Sequence, residues 1–65
     1  MDKYEDMIGL ASDSLLRLSL AHIRASELMA EGAGSPATVS HLFNAITALQ
    51  AAIQTAREYD STHRA

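Results

Sequence analysis

The sequence predicts an all-α fold, an antiparallel two-helix hairpin that dimerises into a four-helix bundle. Apolar residues recur every three or four positions in two long segments, which is the periodicity of amphipathic helices. A Gly-Ala-Gly-Ser-Pro run at residues 32–36 separates these segments and carries helix stop and start signals. The chain has 65 residues and no cysteine, so it forms one small domain whose core needs reinforcement by oligomerisation or a metal.

The first helix is expected from about residue 3 to residue 31. Asp2 and Glu5 have the D-x-x-E spacing of a capping box, in which Asp2 accepts from the Glu5 amide. Written as heptads, the segment has a broad apolar face, with Tyr4, Ala11, Leu18 and Ala25 at a, Met7, Ser14, Ala21 and Leu28 at d, and Ile8, Leu15, His22 and Met29 at e. The b positions, which include Ser12 and Ser19, are expected in solvent.

The turn is expected at residues 32–35 and the second helix at about residues 36–60, followed by a frayed tail at 61–65. Gly32 suits a left-handed position after a helix, and Ser35 and Pro36 suit the N-cap and the first helical position. So short a connection returns the second helix antiparallel to the first. Its apolar stripe contains Val39, Leu42, Ile46, Leu49, Ile53 and Ala56, and Phe43 widens it.

The large side chains of both stripes should form the core. We expect the following residues to be largely buried: Leu18, Leu28, Leu42, Phe43, Ile46, Leu49 and Ile53.

A second apolar patch lies on the far side of the first helix. Leu16, Leu20 and Ile23 are spaced i, i+4, i+7 and lie roughly opposite the a/d seam, where the second helix cannot cover them. Aligned aliphatic residues on a surface mark interaction sites, so we assign these three residues and Phe43 to a protein interface. The sequence leaves open which apolar surface joins two copies and which meets another partner.

A basic ridge runs along the first helix, because Lys3, Arg17 and Arg24 all occupy position g. One interpretation is a solvated flank with ion pairs, such as Asp13 with Arg17 or Arg24 with Glu27. The other is a series of phosphate contacts for a nucleic acid. A net charge of -3 disfavours indiscriminate binding to nucleic acid but leaves a local ridge possible.

Catalytic and metal-binding patterns are missing from the sequence. The three histidines, His22, His41 and His63, have neither HxxxH nor ExxH spacing, which are the spacings of metal ligands on a helix. The acidic residues Asp2, Glu5 and Asp6 cluster, but they lie on a terminal turn that has no pocket. A two-helix hairpin also lacks a concavity for a substrate. We therefore expect neither an enzyme nor a cofactor.

The sequence thus favours a small interaction protein, such as an adaptor, an inhibitor or an assembly module, that acts as a homodimer and binds another protein. The alternative is a nucleic-acid-binding regulator that uses Lys3, Arg17 and Arg24. The acidic start of the chain is unlike a secretory signal, and no apolar run approaches the ~18 residues of a membrane span. A cytoplasmic location without membrane contact is expected.

Overall fold

The computed structural model describes residues 2–63, which form two α-helices of equal length. Helix α1 spans Lys3–Ala30 and helix α2 spans Pro36–His63, with 28 residues each, and the described residues contain no strand. The ring of Tyr4, near the start of α1, stacks on Tyr59, near the end of α2. The helices therefore run antiparallel as a hairpin, and the predicted all-α fold is confirmed.

Helix α1 ends in a Schellman motif, which closes its last turn without a side chain. Gly32 has φ of 75°, in the left-handed region that favours glycine. Its N–H donates to Met29 O at 3.0 Å, and the Ala33 N–H donates to Leu28 O at 2.9 Å. These two bonds satisfy carbonyls that the helix leaves without partners. The helix stop predicted at Gly32 is confirmed.

The second half of the turn is tight because the chain passes close to the end of α1. A Cβ atom on Gly34 would lie 2.6 Å from the Met29 backbone nitrogen, so only glycine fits without a shift of the backbone. Ser35 then caps α2, since its Oγ accepts from the Thr38 N–H at 3.3 Å, and Pro36 is the first helical residue.

The two free ends of the hairpin differ in detail from the prediction. Asp2 caps α1 by accepting from the Tyr4 N–H at 2.8 Å, one residue earlier than the expected amide of Glu5. Helix α2 does not end near residue 60 but continues to His63. There the Thr62 hydroxyl donates to the carbonyl of residue 58, which supports the final turn. The last part of the expected tail, residues 64–65, lies outside the described residues.

The seam is the strip along which the helices face each other, defined here by the residues that are not exposed. In α1 these are Tyr4, Ile8, Ala11, Ser12, Leu15, Leu18, Ser19, His22 and Ala25; in α2 they are Val39, Leu42, Ile46, Leu49, Ile53, Ala56 and Asp60. Every residue of the predicted α2 stripe lies in the seam. Within residues 2–63 only Ala25 and Ile53 are buried, with 8% and 6% of their surface exposed.

The contact face of α1 is rotated from the predicted one. The a positions and the e positions Ile8, Leu15 and His22 meet α2 as expected. The e position Met29 and the d positions Met7, Ser14, Ala21 and Leu28 are exposed. Ser12 and Ser19, expected in solvent, are instead half-buried, and the Ser19 hydroxyl donates to Leu15 O at 2.9 Å. A single neighbouring helix covers only a narrow strip, and at about 100° per residue that strip is centred between a and e.

The predicted core is therefore only partly correct. Leu28 and Phe43, both expected to be largely buried, are exposed because each lies on a flank of its helix, about 90–125° from the seam. Leu18, Leu42, Ile46 and Leu49 are in the seam but half-buried. Two helices alone leave even the seam open to water at its edges.

The hairpin is a thin slab. Its Cα atoms extend 53 × 18 × 10 Å, so it is one helix thick. The radius of gyration is 15.1 Å, whereas a compact chain of this length has about 11 Å. Neither helix, over the described residues, has an apolar stretch of the length that a bilayer crossing requires.

Candidate interaction surfaces

Helical periodicity assigns each exposed side chain to one of two outer faces. Residues advance by about 100° each. Viewed from one end of an antiparallel hairpin, this rotation is clockwise along one helix and counter-clockwise along the other. A residue follows the seam when its rotation about the helix axis, counted along the chain from the centre of the seam, is less than about 180°, and otherwise it precedes the seam. Residues that follow the seam therefore lie on one face of the slab in both helices, and residues that precede it lie on the opposite face.

The first face, here called the leucine face, carries the four residues that the sequence assigns to a protein interface. Leu16, Leu20 and Ile23 follow the seam of α1 by about 95–155°, and Phe43 follows the seam of α2 by about 90°. Their exposed fractions are 65%, 52%, 51% and 58% in that order. The Phe43 ring centroid is 6.1 Å from that of His22, which places Phe43 at the level of Ile23 along the slab. Their role as an interface remains a prediction.

The α2 side of the leucine face has no formal charge. From Pro36 to Ala56 the sequence contains no Asp, Glu, Lys or Arg. Charged side chains border the patch from α1 alone in this part of the hairpin: Asp13 and Glu27 lie one turn before and one turn after it, and Arg17 and Arg24 lie one turn before and after Leu20 at the outer edge. A partner on this face would therefore meet aliphatic, aromatic and neutral polar groups, with charged groups only along the edge of α1.

The opposite face, here called the mixed face, combines basic and apolar side chains. Lys3, Arg17 and Arg24 lie along its outer edge, about 105–165° before the seam. Its large exposed apolar residues are Met7, Leu10 and Leu28 of α1 and Tyr59 of α2. They do not form one patch, because Leu10 and Leu28 are about 27 Å apart along the helix axis.

The basic ridge of the mixed face is sparse and electrically balanced. Its three cations extend over about 32 Å, at 1.5 Å per residue. Each has an acidic residue within one turn in the sequence, namely Asp6 for Lys3, Asp13 for Arg17 and Glu27 for Arg24. The ridge therefore carries little net charge, although all three cations are exposed.

Only part of the expected ion pairing forms. Arg24 Nη1 lies 2.8 Å from Glu27 Oε1, and this hydrogen bond raises the pKa of the Arg24 guanidinium above its ordinary value. Among the described residues, Asp13 and Arg17 do not make the ion pair that their i, i+4 spacing favours. Both are exposed, where an ion pair gains little over separate hydration.

An aromatic stack, which the apolar periodicity of the sequence does not predict, closes the open end of the hairpin. The rings of Tyr4 and Tyr59 stack at 5.6 Å, and those of Tyr59 and His63 stack at 3.8 Å. His63 Nδ1 also lies 2.8 Å from the Tyr59 carbonyl oxygen. The register of the hairpin could have indicated this stack, because a turn at residues 32–35 brings Tyr4 level with the last turns of α2.

The histidines are placed apart. His22 is half-buried beside Phe43, His41 is exposed near the start of α2, and His63 belongs to the open end. Over residues 2–63 the structure has no group of three potential metal ligands and no cavity. No protein family, curated protein or solved structure matches this chain.

Proposed function

We propose that this chain is a small non-catalytic interaction protein that acts as a homodimer and binds another protein through its helical surfaces. The observation that carries the proposal is the exposed area. The hairpin exposes 4903 Å², whereas a folded monomer of its mass exposes about 4,000 Å². The excess of about 900 Å² is close to the roughly 800 Å² that each partner buries in a stable interface.

The burial pattern supports self-association in a second way. Ala25 and Ile53 are the only buried residues within 2–63, and one of them is an alanine that contributes little apolar area. Burial on this scale hardly offsets the conformational entropy lost when 65 residues become ordered. A second hairpin against one face of the slab would add a shared core, as in a four-helix bundle.

The large exposed side chains support a binding role and do not supply reactive groups. Aliphatic and aromatic residues gain free energy when they leave water, but they transfer no protons and attack no substrate. Adaptors, inhibitors and assembly modules all use surfaces of this kind.

A protein partner is favoured over a nucleic acid by the charges of the ridge. Binding to nucleic acid rests on cations that displace the counterions of the phosphates. Here three cations are spread over about 32 Å and each has an acidic neighbour. Nucleic-acid binding through Lys3, Arg17 and Arg24 is the alternative that the experiment below separates.

Sedimentation equilibrium over a wide range of concentrations tests the homodimer. We expect the mass to rise from the 7.0 kDa of the monomer to twice that value. A monomer at every concentration up to millimolar would contradict the proposal.

Fluorescence anisotropy with random-sequence RNA and DNA tests the alternative. We expect no binding at physiological salt. Binding whose affinity falls with salt, with a log–log slope of about -2 to -3, would instead indicate phosphate contacts by the ridge. Arg17→Gln should then reduce that slope by about one, whereas Arg57→Gln, which is outside the ridge, should not.

A further inference from the structure

We propose that the leucine face is the self-interface: a second copy of the chain packs on Leu16, Leu20, Ile23 and Phe43, and the mixed face stays open for a different partner. This assignment rests on the proposed function, because it presupposes the homodimer. Three observations favour the leucine face over the mixed face, namely contiguity, position along the slab and charge.

Contiguity separates the two faces. Leu16, Leu20 and Ile23 lie within about 11 Å along the helix axis. Phe43 is level with Ile23 on the neighbouring helix, as its ring contact with His22 requires. The large apolar residues of the mixed face are instead divided between the two ends of the hairpin, with Met7, Leu10 and Tyr59 at one end and Leu28 at the other. Continuous apolar area at the centre of an interface carries most of its binding energy, so the leucine face offers the better site.

The position of the patch suits a two-fold axis. Residues 16–23 lie near the middle of α1, which spans Lys3–Ala30. A two-fold axis near this point overlaps the two copies over most of their 53 Å length. One broad side of the slab, 53 by 18 Å, offers a footprint of about 950 Å². This is enough for the roughly 800 Å² per partner of a stable interface.

Charge also favours the leucine face. Two-fold symmetry places each surface against a copy of itself, so like charges that line a face meet in the dimer. On the mixed face, the two ridges would bring Lys3, Arg17 and Arg24 of both copies to one interface. On the leucine face, the same axis brings Leu16, Leu20 and Ile23 of the two copies together, while the segment from Pro36 to Ala56, which has no formal charge, packs against its own copy.

Two matched substitutions test the assignment. Leu20 and Leu10 are leucines of α1 outside the seam, 52% and 61% exposed, on the leucine face and the mixed face respectively. We expect Leu20→Glu to raise the Kd of the dimer at least about 100-fold, because symmetry places two carboxylates where two aliphatic side chains would pack. Leu10→Glu should change the Kd less than about threefold, since its carboxylate remains in water. Sedimentation equilibrium measures both, and circular dichroism verifies that each variant is helical.

The outcomes separate this inference from the proposed function. A wild-type chain that is monomeric defeats the homodimer itself. If the wild type is dimeric and Leu10→Glu dissociates the dimer while Leu20→Glu does not, the self-interface is the mixed face. That result overturns the inference. A dimer that survives both substitutions overturns it as well.

A second measurement decides the matter if Leu20→Glu unfolds. The natural chain has no cysteine, so a single cysteine is a clean probe. We expect the alkylation rate of Leu20→Cys to fall about tenfold or more as the concentration rises through the Kd of the dimer, because the thiol becomes buried. The rate for Leu10→Cys should stay constant. The reverse pattern, or constant rates at both positions, would overturn the inference.

Discussion

The seam and the leucine face are built from the same kinds of residue but differ in what lies opposite them. Both repeat large apolar side chains at three- and four-residue spacing. In the seam, Ile53 keeps 6% of its surface exposed because α1 lies against it; on the leucine face, Leu16 keeps 65%. Periodicity thus identifies the side chains that share a face, while burial depends on whether a neighbour is present. The hairpin covers one of its apolar surfaces and leaves a comparable one open.

The largest expected effect separates the seam from the outer surface. Ile53→Ala should lower the free energy of unfolding by ~2–5 kcal/mol, because it removes the most buried large side chain and leaves a cavity. Leu10→Ala, on the outside of α1, should cost less than about 0.5 kcal/mol. Urea denaturation followed by circular dichroism measures both. Equal effects would mean that the seam is not the structural core.

The second expected effect is a dependence of stability on protein concentration, which would show that the leucine face is covered in the dimer. If two copies share a core, apparent stability rises by about 1.4 kcal/mol per dimer for each tenfold rise in protein concentration. Thermal melting should show this dependence for the wild type and for Phe43→Leu, which remains apolar. Phe43→Ala should lose it, whereas Ile53→Ala should keep it at a lower Tm. A wild-type Tm that is independent of concentration would contradict the shared core.

The third effect concerns the turn that sets the register of the seam. Gly34→Ala should destabilise the hairpin by about 1–3 kcal/mol, because its Cβ would lie 2.6 Å from the Met29 nitrogen. Gly9→Ala provides a control of opposite sign: a Cβ there meets no atom within 4 Å, and the substitution should stabilise the helix by about 0.5–1 kcal/mol. Thermal melting distinguishes them. A neutral Gly34→Ala would show that the turn relaxes freely.

The smallest expected effect is at the open end. Tyr59→Ala removes the ring that stacks with both Tyr4 and His63 and should cost about 0.5–1.5 kcal/mol. Amide hydrogen exchange should then accelerate in the first turn of α1 and the last turns of α2, but not beside the turn at residues 32–35. Acceleration along the whole hairpin would place the stack in the core of the fold and not at its edge.

The features that the sequence predicted well are those set by local chemistry. Gly32, Ser35 and Pro36 fix the turn through backbone conformation and capping bonds that involve only residues nearby in the chain. The α2 stripe from Val39 to Ala56 was also predicted correctly, because its apolar residues follow a single line, but Phe43, expected to widen it, is exposed. These features need no knowledge of the partner helix.

The features that were wrong or missed depend on contacts between distant segments. The α1 face was too broad to show which of its edges meets α2, so the d positions were placed in the seam and Ser19 in solvent. The stack of Tyr4 with Tyr59 requires the register of both helices, and the expectation of a frayed tail concealed it. The candidate interface was identified by its spacing, but whether a second copy covers it depends on a molecule outside the chain.

The thinness of the slab has a further consequence. A layer 10 Å deep has no interior to separate its two sides, and α1 displays residues on both of them. Binding on one side that restricts the motion of α1 would leave less entropy to be lost when a ligand binds the other side, which is positive cooperativity without a change of shape. We expect a partner on the mixed face to tighten the dimer and, by thermodynamic reciprocity, the dimer to tighten the partner by the same factor. Titrations of the partner below and above the dimer Kd would reveal this linkage as two different affinities, and equal affinities would exclude it.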